Sequence, residues 1–192
     1  MSSPAIELRP LRRDDFPLLA RWLATPHVAR WWDHDFTPEG IERDFGAVVD
    51  GEDPAEVFVA SAAEGPFGLI QRYTFADNPD YRDEVSTLVE VPEHALSIDY
   101  FVGETSRLRG GLATAMVEEV LRSTWVDYPL AEAVIVPVVA ANAASHRLLA
   151  RAGFQAVAGG PLTPDNPVDG PEHLVWQVDR PVPSDSSVRD AT

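Results

Sequence analysis

The alternation of apolar and polar positions divides the chain into short, distinct segments. "AIELRPL" (5–11) alternates as a strand, and "RRDDFPLLARWLATPHVARWW" (12–32) then sets Phe16, Leu19, Trp22 and Leu23 at helical spacing. "TPEGIERDFGAVVD" (37–50) predicts a further helix, with Thr37 as N-cap and Pro38 at the first helical position. The period then drops to two. "AEVFVASA" (55–62) and "FGLIQRYTFA" (67–76) read as antiparallel strands about the turn "AEGP". Residues 76–94 are acidic and turn-rich, and they interrupt the sheet before the strand "ALSIDYFV" (95–102). A helix near 112–125, an apolar strand "EAVIVPVV" (132–139), a helix within "NAASHRLLARAGF" (142–154) and a strand "HLVWQVD" (173–179) follow. The order βααβββαβαβ predicts a mixed α/β sheet in one domain over residues 1–180. "PVPSDSSVRDAT" (181–192) has the composition of a disordered tail.

Length and composition agree with that pattern, since 192 residues at 45% hydrophobic content suit one soluble domain with a full core. No apolar run approaches the roughly 18–20 residues of a membrane span, and "MSSPAIELRPLRRDD" lacks a signal-peptide core, so a cytoplasmic protein is expected. Cysteine is absent and all 15 basic residues are arginine. Disulfides, an acyl-cysteine intermediate, a P-loop lysine and a Schiff base are thereby excluded. The net charge of −16 repels nucleic-acid backbones and anionic lipid, so neither nucleic acid nor membrane is an expected partner. A cationic partner would be attracted, although solubility alone also accounts for the charge. His27, His34, His94, His146 and His173 show no metal-ligand spacing, so no metal is expected, and His146 reads as a solvent-facing helix residue.

Chemistry concentrates in "SIDYFVGETSRLRGGLATAMVEEVL" (97–121), where a strand carrying an aspartate runs through a glycine loop into a helix. A helix N-terminus offers unpaired N–H groups and the positive end of the dipole, so a glycine-rich turn there is an anion site. Gly110 and Gly111 allow close approach, Arg109 adds charge and Thr114 a hydroxyl. A tight strand-to-helix turn uses the same glycines without a ligand.

Taken together, "LRGGLA" (108–113) and "NAASHRLLARAGF" resemble the two motifs of the GCN5-related N-acetyltransferase (GNAT) superfamily, over roughly residues 5–180. The resemblance implies a mixed, mostly antiparallel sheet with flanking helices, whose strands at 95–102 and 132–139 splay apart. It also implies acetyl-CoA as cofactor, held by Phe101, Val102, Leu108, Arg109, Gly110, Gly111, Leu112, Ala113, Thr114, Asn142 and Ser145. Leu108 replaces the usual Arg or Gln of the first motif, which removes one side-chain contact to the pyrophosphate. Leu149 stands where the superfamily often places a tyrosine, so Tyr100, water or no group at all protonates the leaving thiolate.

Within the superfamily, "HVARWWDHDF", "GLIQRYTFADNPDY" and "LSIDYFVGETSRLRGGLATAM" most resemble aminoglycoside 6′-N-acetyltransferases and their relatives that acylate siderophore lysines. Asp99 then occupies the place of the general base, and its pKa must rise above the carboxylate norm of about 3.9 for it to work at neutral pH. A buried Asp satisfied by neighbouring N–H groups is the structural alternative. Of Trp31 and Trp32, one reads as a core anchor, and the resemblance makes the other a wall of the acceptor pocket beside Asp99; Gln71 and Tyr73, two residues apart, share a strand face that lines the same cleft. Asp77, Asp80, Asp83, Glu84, Glu90 and Glu93 form either an attractive rim for a polycation or a solvated loop. Close aminoglycoside-modifying relatives carry D-P-x-x-x-N where this chain reads "PVVAAN", so Pro137 replaces an acidic acceptor ligand. The expected activity is direct acetyl transfer to a primary amine of a cationic small molecule, by a monomer or homodimer. A siderophore hydroxylysine or protein N-terminal acyltransferase, or a non-catalytic acyl-CoA-binding module, are the competing readings.

Overall fold

The computed structural model describes residues 4–182; the expected tail from 183 onward lies outside the described residues. Strand β1 (Glu7–Pro10) leads into helices α1 (Phe16–Leu23), α2 (Pro26–Ala29) and α3 (Pro38–Asp50). Strands β2 (Glu56–Ala62) and β3 (Gly65–Thr74), helix α4 (Pro79–Val85) and strand β4 (Leu96–Val102) follow. Helix α5 (Leu112–Asp127), strand β5 (Ala133–Val139), helix α6 (Ala143–Arg151) and strands β6 (Gln155–Pro161) and β7 (Glu172–Asp179) complete the order.

The seven strands form one sheet in the order β1-β2-β3-β4-β5-β7-β6. Every neighbouring pair is antiparallel except β4–β5, which is parallel and bonded in register only at Leu96↔Val134. Beyond that point the two strands part. The facing edges of β4 and β5 therefore lack ladder partners, and a slot opens through the middle of the sheet.

Side chains alternate across each strand, so the two faces bury separate cores. Ile70, Leu96, Ile98 and Val134 meet Met116, Val120 and Leu149 of α5 and α6 on one face. Val57, Val59, Leu69 and Phe101 meet Leu19, Trp22, Leu23, Ile41 and Phe45 of α1 and α3 on the other. Leu149 is fully buried in the first core, so packing accounts for the residue at that position. Arg72, only 2% exposed, reaches Glu56 at 2.7 Å and Asp127 at 2.7 Å, with Ser123 and Thr124 completing its hydrogen bonds. This pins the C-terminal end of α5 to β3 and so fixes where the N-terminus of α5 points.

Several features differ from the pattern reading. The helical run over 12–32 is two helices, because Pro26 has no N–H to continue the ladder, and Thr25 Oγ donates instead to the Trp22 carbonyl at 2.6 Å. Within 76–94, α4 forms beneath the sheet, with Tyr81 stacked on Phe75 at 5.4 Å and Val85 buried. Strand β6 is absent from the pattern reading, and it exists as an edge paired to β7. His146, expected to face solvent, is half-buried: its Nδ1 accepts from the Trp176 indole at 3.0 Å, and its Nε2–H donates to the Ala140 carbonyl. Among the described residues, no helix is long and apolar enough to cross a membrane, and no cluster of three or more His, Asp or Glu could hold a metal ion.

Candidate active site

The slot opens into a cleft of about 800 Å³ whose two ends differ in chemistry. At one end stands the N-terminus of α5. Gly111 is its N-cap at φ 78°, in the left-handed region that favours glycine, and no side chain caps it. The first bond inside the helix runs from the Ala115 N–H to the Gly111 carbonyl, which leaves the N–H groups of Leu112, Ala113 and Thr114 without helical partners. Arg109 precedes this turn in the left-handed region at φ 66°, a conformation an arginine holds at some cost. Gly110 has no such role: its φ is ordinary, an added Cβ would meet only the Arg107 carbonyl at 3.6 Å, and it does not line the cleft.

Charge reinforces the dipole here. Eight arginines are paired with carboxylates, yet Arg109, Arg147 and Arg151, which all line the cleft, make no ion pair or hydrogen bond among the described residues. Leu108 also lines the cleft and is 39% exposed at its mouth. Asn142 caps α6, its Oδ1 accepting from the Ser145 N–H at 3.2 Å, which leaves its amide N–H₂ free on the cleft side. The Ser145 hydroxyl is hydrogen-bonded to the Tyr100 hydroxyl at 2.7 Å. Phe101, Val102, Leu112, Ala113 and Thr114 complete the expected donor-side set along the wall.

The other end is acidic and aromatic. Asp99 lies on β4 with its side chain on the face opposite Tyr100, and it is reached from the cleft while protein surrounds it elsewhere. Gln71, its cross-strand partner, donates to Asp99 Oδ2 at 2.9 Å. Burial pushes the Asp99 carboxyl above its ordinary range, and the nearby Asp165 pushes the same way. The Gln71 and Tyr73 side chains oppose that rise. Tyr73 faces Tyr81 at 6.2 Å between ring centres, and burial raises its phenol strongly, so it stays protonated. Gln71 and Tyr73 share a strand face as expected, but they support Asp99 from beneath and do not line the cleft.

Both tryptophans line it. Trp32 is the anchor, packed edge-on against Phe101 at 4.8 Å, whereas Trp31 carries the Arg30 guanidinium over its ring at 4.2 Å. Arg30 in turn grips Asp169 at 2.6 and 2.9 Å, and the Arg30 carbonyl accepts from Asn166. The β6–β7 loop is thus strapped to the end of α2, and it delivers Asp165 to the cleft. Asp165 is itself exposed, and it has no hydrogen bond or ion pair among the described residues. His27 Nε2–H donates to the Val102 carbonyl at 2.8 Å, tying α2 to the end of β4. Sequence reasoning did not find Asp165, His27, Arg147 or Arg151. A lone Asp between prolines in "LTPDNPVDG" carries no spacing that ties it to Asp99.

The acetyltransferase (GNAT) domain family matches residues 12–160. An aminoglycoside N(6')-acetyltransferase type 1 from Klebsiella pneumoniae is 23% identical over 171 residues, covering 86% of this chain and 81% of the relative. Aminoglycoside acetyltransferase AAC(6')-Ib, solved with coenzyme A and kanamycin, shares the fold at a TM-score of 0.77 and 20% identity, over 92% of this chain and 95% of that one. The ribosomal-protein-S5-alanine acetyltransferase of Vibrio fischeri shares it at 0.68 and 16% identity, over 93% and 95%. With the splayed β4–β5 pair and the open α5 cradle, the match over most of its length shows that the chain belongs to the GNAT acetyltransferase family.

Proposed function

We propose that the chain transfers an acetyl group from acetyl-CoA directly to a primary amine of a cationic small molecule, with the 6′ amine of an aminoglycoside as the acceptor. One observation carries this reading. A half-buried carboxylate, Asp99, sits on the strand where a cationic, N–H-rich end of the cleft meets an acidic, aromatic end.

The residues present fit coenzyme A. The free N–H groups at the start of α5 and the Arg109 guanidinium suit a diphosphate. The unladdered edges of β4 and β5 offer backbone donors and acceptors to the amide groups of a pantetheine arm. When bound, acetyl-CoA supplies an activated acetyl thioester. At the acceptor end, Asp99 and Asp165 hold ammonium groups, and the tryptophans present aromatic surface to a sugar ring or a cation. Asp165 supplies a carboxylate to a site where Pro137, also in the wall, has none.

Asp99 then takes a proton from the reacting ammonium, which frees its lone pair to attack. The raised pKa suits this task, since a carboxylate with an ordinary value near 3.9 is a weak base at pH 7. The amine's second proton leaves after attack, to the released thiolate or to water. With no cysteine in the chain, no acyl-thioester intermediate on the protein is required.

The test is thiol release from acetyl-CoA against aminoglycosides bearing a 6′ amine, aminoglycosides bearing a 6′ hydroxyl, hydroxylysine, and peptides with a free N-terminal alanine. Turnover confined to the 6′-amine compounds is the expected result. Turnover on the peptide or hydroxylysine alone would overturn the acceptor assignment and leave acetyl transfer standing.

A further inference from the structure

One cation already sits at the acidic end of the cleft, and it belongs to the chain. The Arg30 guanidinium lies 4.2 Å from the centre of the Trp31 ring and grips the Asp169 carboxylate at 2.6 and 2.9 Å. An aromatic face beside a carboxylate is the pairing that holds an organic ammonium. Trp31 and Asp169 both line the cleft, together with Asp99 and Asp165, neither of which has a cationic side chain bonded to it among the described residues. Arg30 does not line it. It reaches the pair from the solvent side, its side chain 42% exposed against 6% for Asp169, so the guanidinium has water to swing into. A pair with so exposed a partner contributes little net stability, but removing the cation outright would strand a covered carboxylate, so another cation must replace it. The loop keeps its place without that side chain. The Asn166 amide donates to the Arg30 backbone carbonyl, the Val168 N–H to Asn166 Oδ1 at 3.1 Å, and the Leu162 N–H to the Pro171 carbonyl at 2.8 Å.

We infer that the Trp31 ring and the Asp169 carboxylate form an ammonium subsite, which Arg30 fills in the free protein and which a polyammonium acceptor takes over by displacing the guanidinium. The inference rests on the reading that the acceptor is a polycation. Arg30 then sets specificity. It offsets the mutual repulsion of Asp99, Asp165 and Asp169 when no acceptor is bound, and it imposes a competition that only a ligand with an ammonium beyond the reacting one can win. An acceptor with a single amine gains nothing from the subsite.

Calorimetric titration with spermine, with a 6′-amine aminoglycoside and with 6-amino-6-deoxyglucose, which carries one amine, tests this alongside thiol release. Arg30→Gln should tighten spermine and aminoglycoside binding by about tenfold and the amino sugar by far less, with coenzyme A affinity unchanged. The gain should vanish when Asp169→Asn is added, and Asp169→Asn alone should weaken both polycations. Arg30→Lys, which holds Asp169 by one contact in place of a two-pronged grip, should fall between wild type and Arg30→Gln, and it guards against misfolding of the neutral variant. Weaker polycation binding in Arg30→Gln would overturn the inference and make the guanidinium a strap on the loop alone. Unchanged affinity would also overturn it. So would an equal gain for the single amine, or a gain that survives Asp169→Asn, since either would be long-range charge. Tighter polycation binding without thiol release would uphold the subsite and overturn the acceptor reading instead, whereas absence of polycation binding in every variant would overturn both.

Discussion

The two ends of the cleft are built by different means. The donor end is mostly backbone: a left-handed Gly111, three N–H groups at the start of α5 and the unladdered edges of two strands. Arginine side chains only add charge to it. The acceptor end is mostly side chain, brought together from α2, β4 and the β6–β7 loop. A backbone site recognises what every reaction of the fold shares, whereas a side-chain site can be exchanged residue by residue. On the proposed function, opposite charge at the two ends also sorts the ligands, polyanion to one and polycation to the other, in a chain whose net charge is −16.

The contrast breaks most severely at Asp99, where the two ends meet. Asp99→Asn should lower kcat/KM by about 10²–10⁴-fold while leaving coenzyme A affinity unchanged, as thiol-release kinetics and calorimetry would show. Stability should move the other way. A carboxyl whose folded pKa is raised binds its proton more tightly in the native state, so its contribution falls as pH climbs from the unfolded value through the folded one. The neutral amide of the variant carries no such penalty, and melting at pH 7 should give a Tm equal to or above that of the wild type.

A smaller effect is expected at Asp165, which belongs to the acceptor end alone. Asp165→Ala should raise the acceptor KM by about tenfold, the worth of one charge-assisted contact, with the acetyl-CoA KM unchanged. Equal change in both KM values would show that the ends are not separable. Smaller again is the donor turn. Gly111→Ala meets no steric neighbour but forces a side chain into the left-handed region at φ 78°, so it should cost about 1 kcal/mol of stability and raise the acetyl-CoA KM. Gly110→Ala, at ordinary φ with open space, should do neither.

The same contrast explains what the sequence discloses. The stretch from Leu108 to Thr114 is legible because a helix start needs contiguous residues, and contiguous residues are a motif. Asp99 is legible as a carboxylate in an apolar strand. Asp165 is not, because it reaches the cleft only through the β6–β7 hairpin, and β6 itself, "QAVAGGP", has two glycines and a proline with little strand propensity. It is a strand because β7 offers it an edge. Helix α4 is seven residues long, too short to show helical period, and it stands on the Phe75–Tyr81 stack and the burial of Val85. The bare alternation of β3 places Gln71 and Tyr73 on one face with Asp99, but alternation cannot say whether such a face lines a cleft or lies beneath it.

The most direct test of the central claim, that Asp99 is the base at the junction and feels the acidic end beside it, is the pH dependence of kcat/KM in the wild type and in Asp165→Asn. The wild type should lose activity on the acid side at a pH above the ordinary carboxylate value of about 3.9, and removing the Asp165 charge should move that limb to lower pH. An acid limb that stays in place when Asp165 becomes neutral would contradict the account.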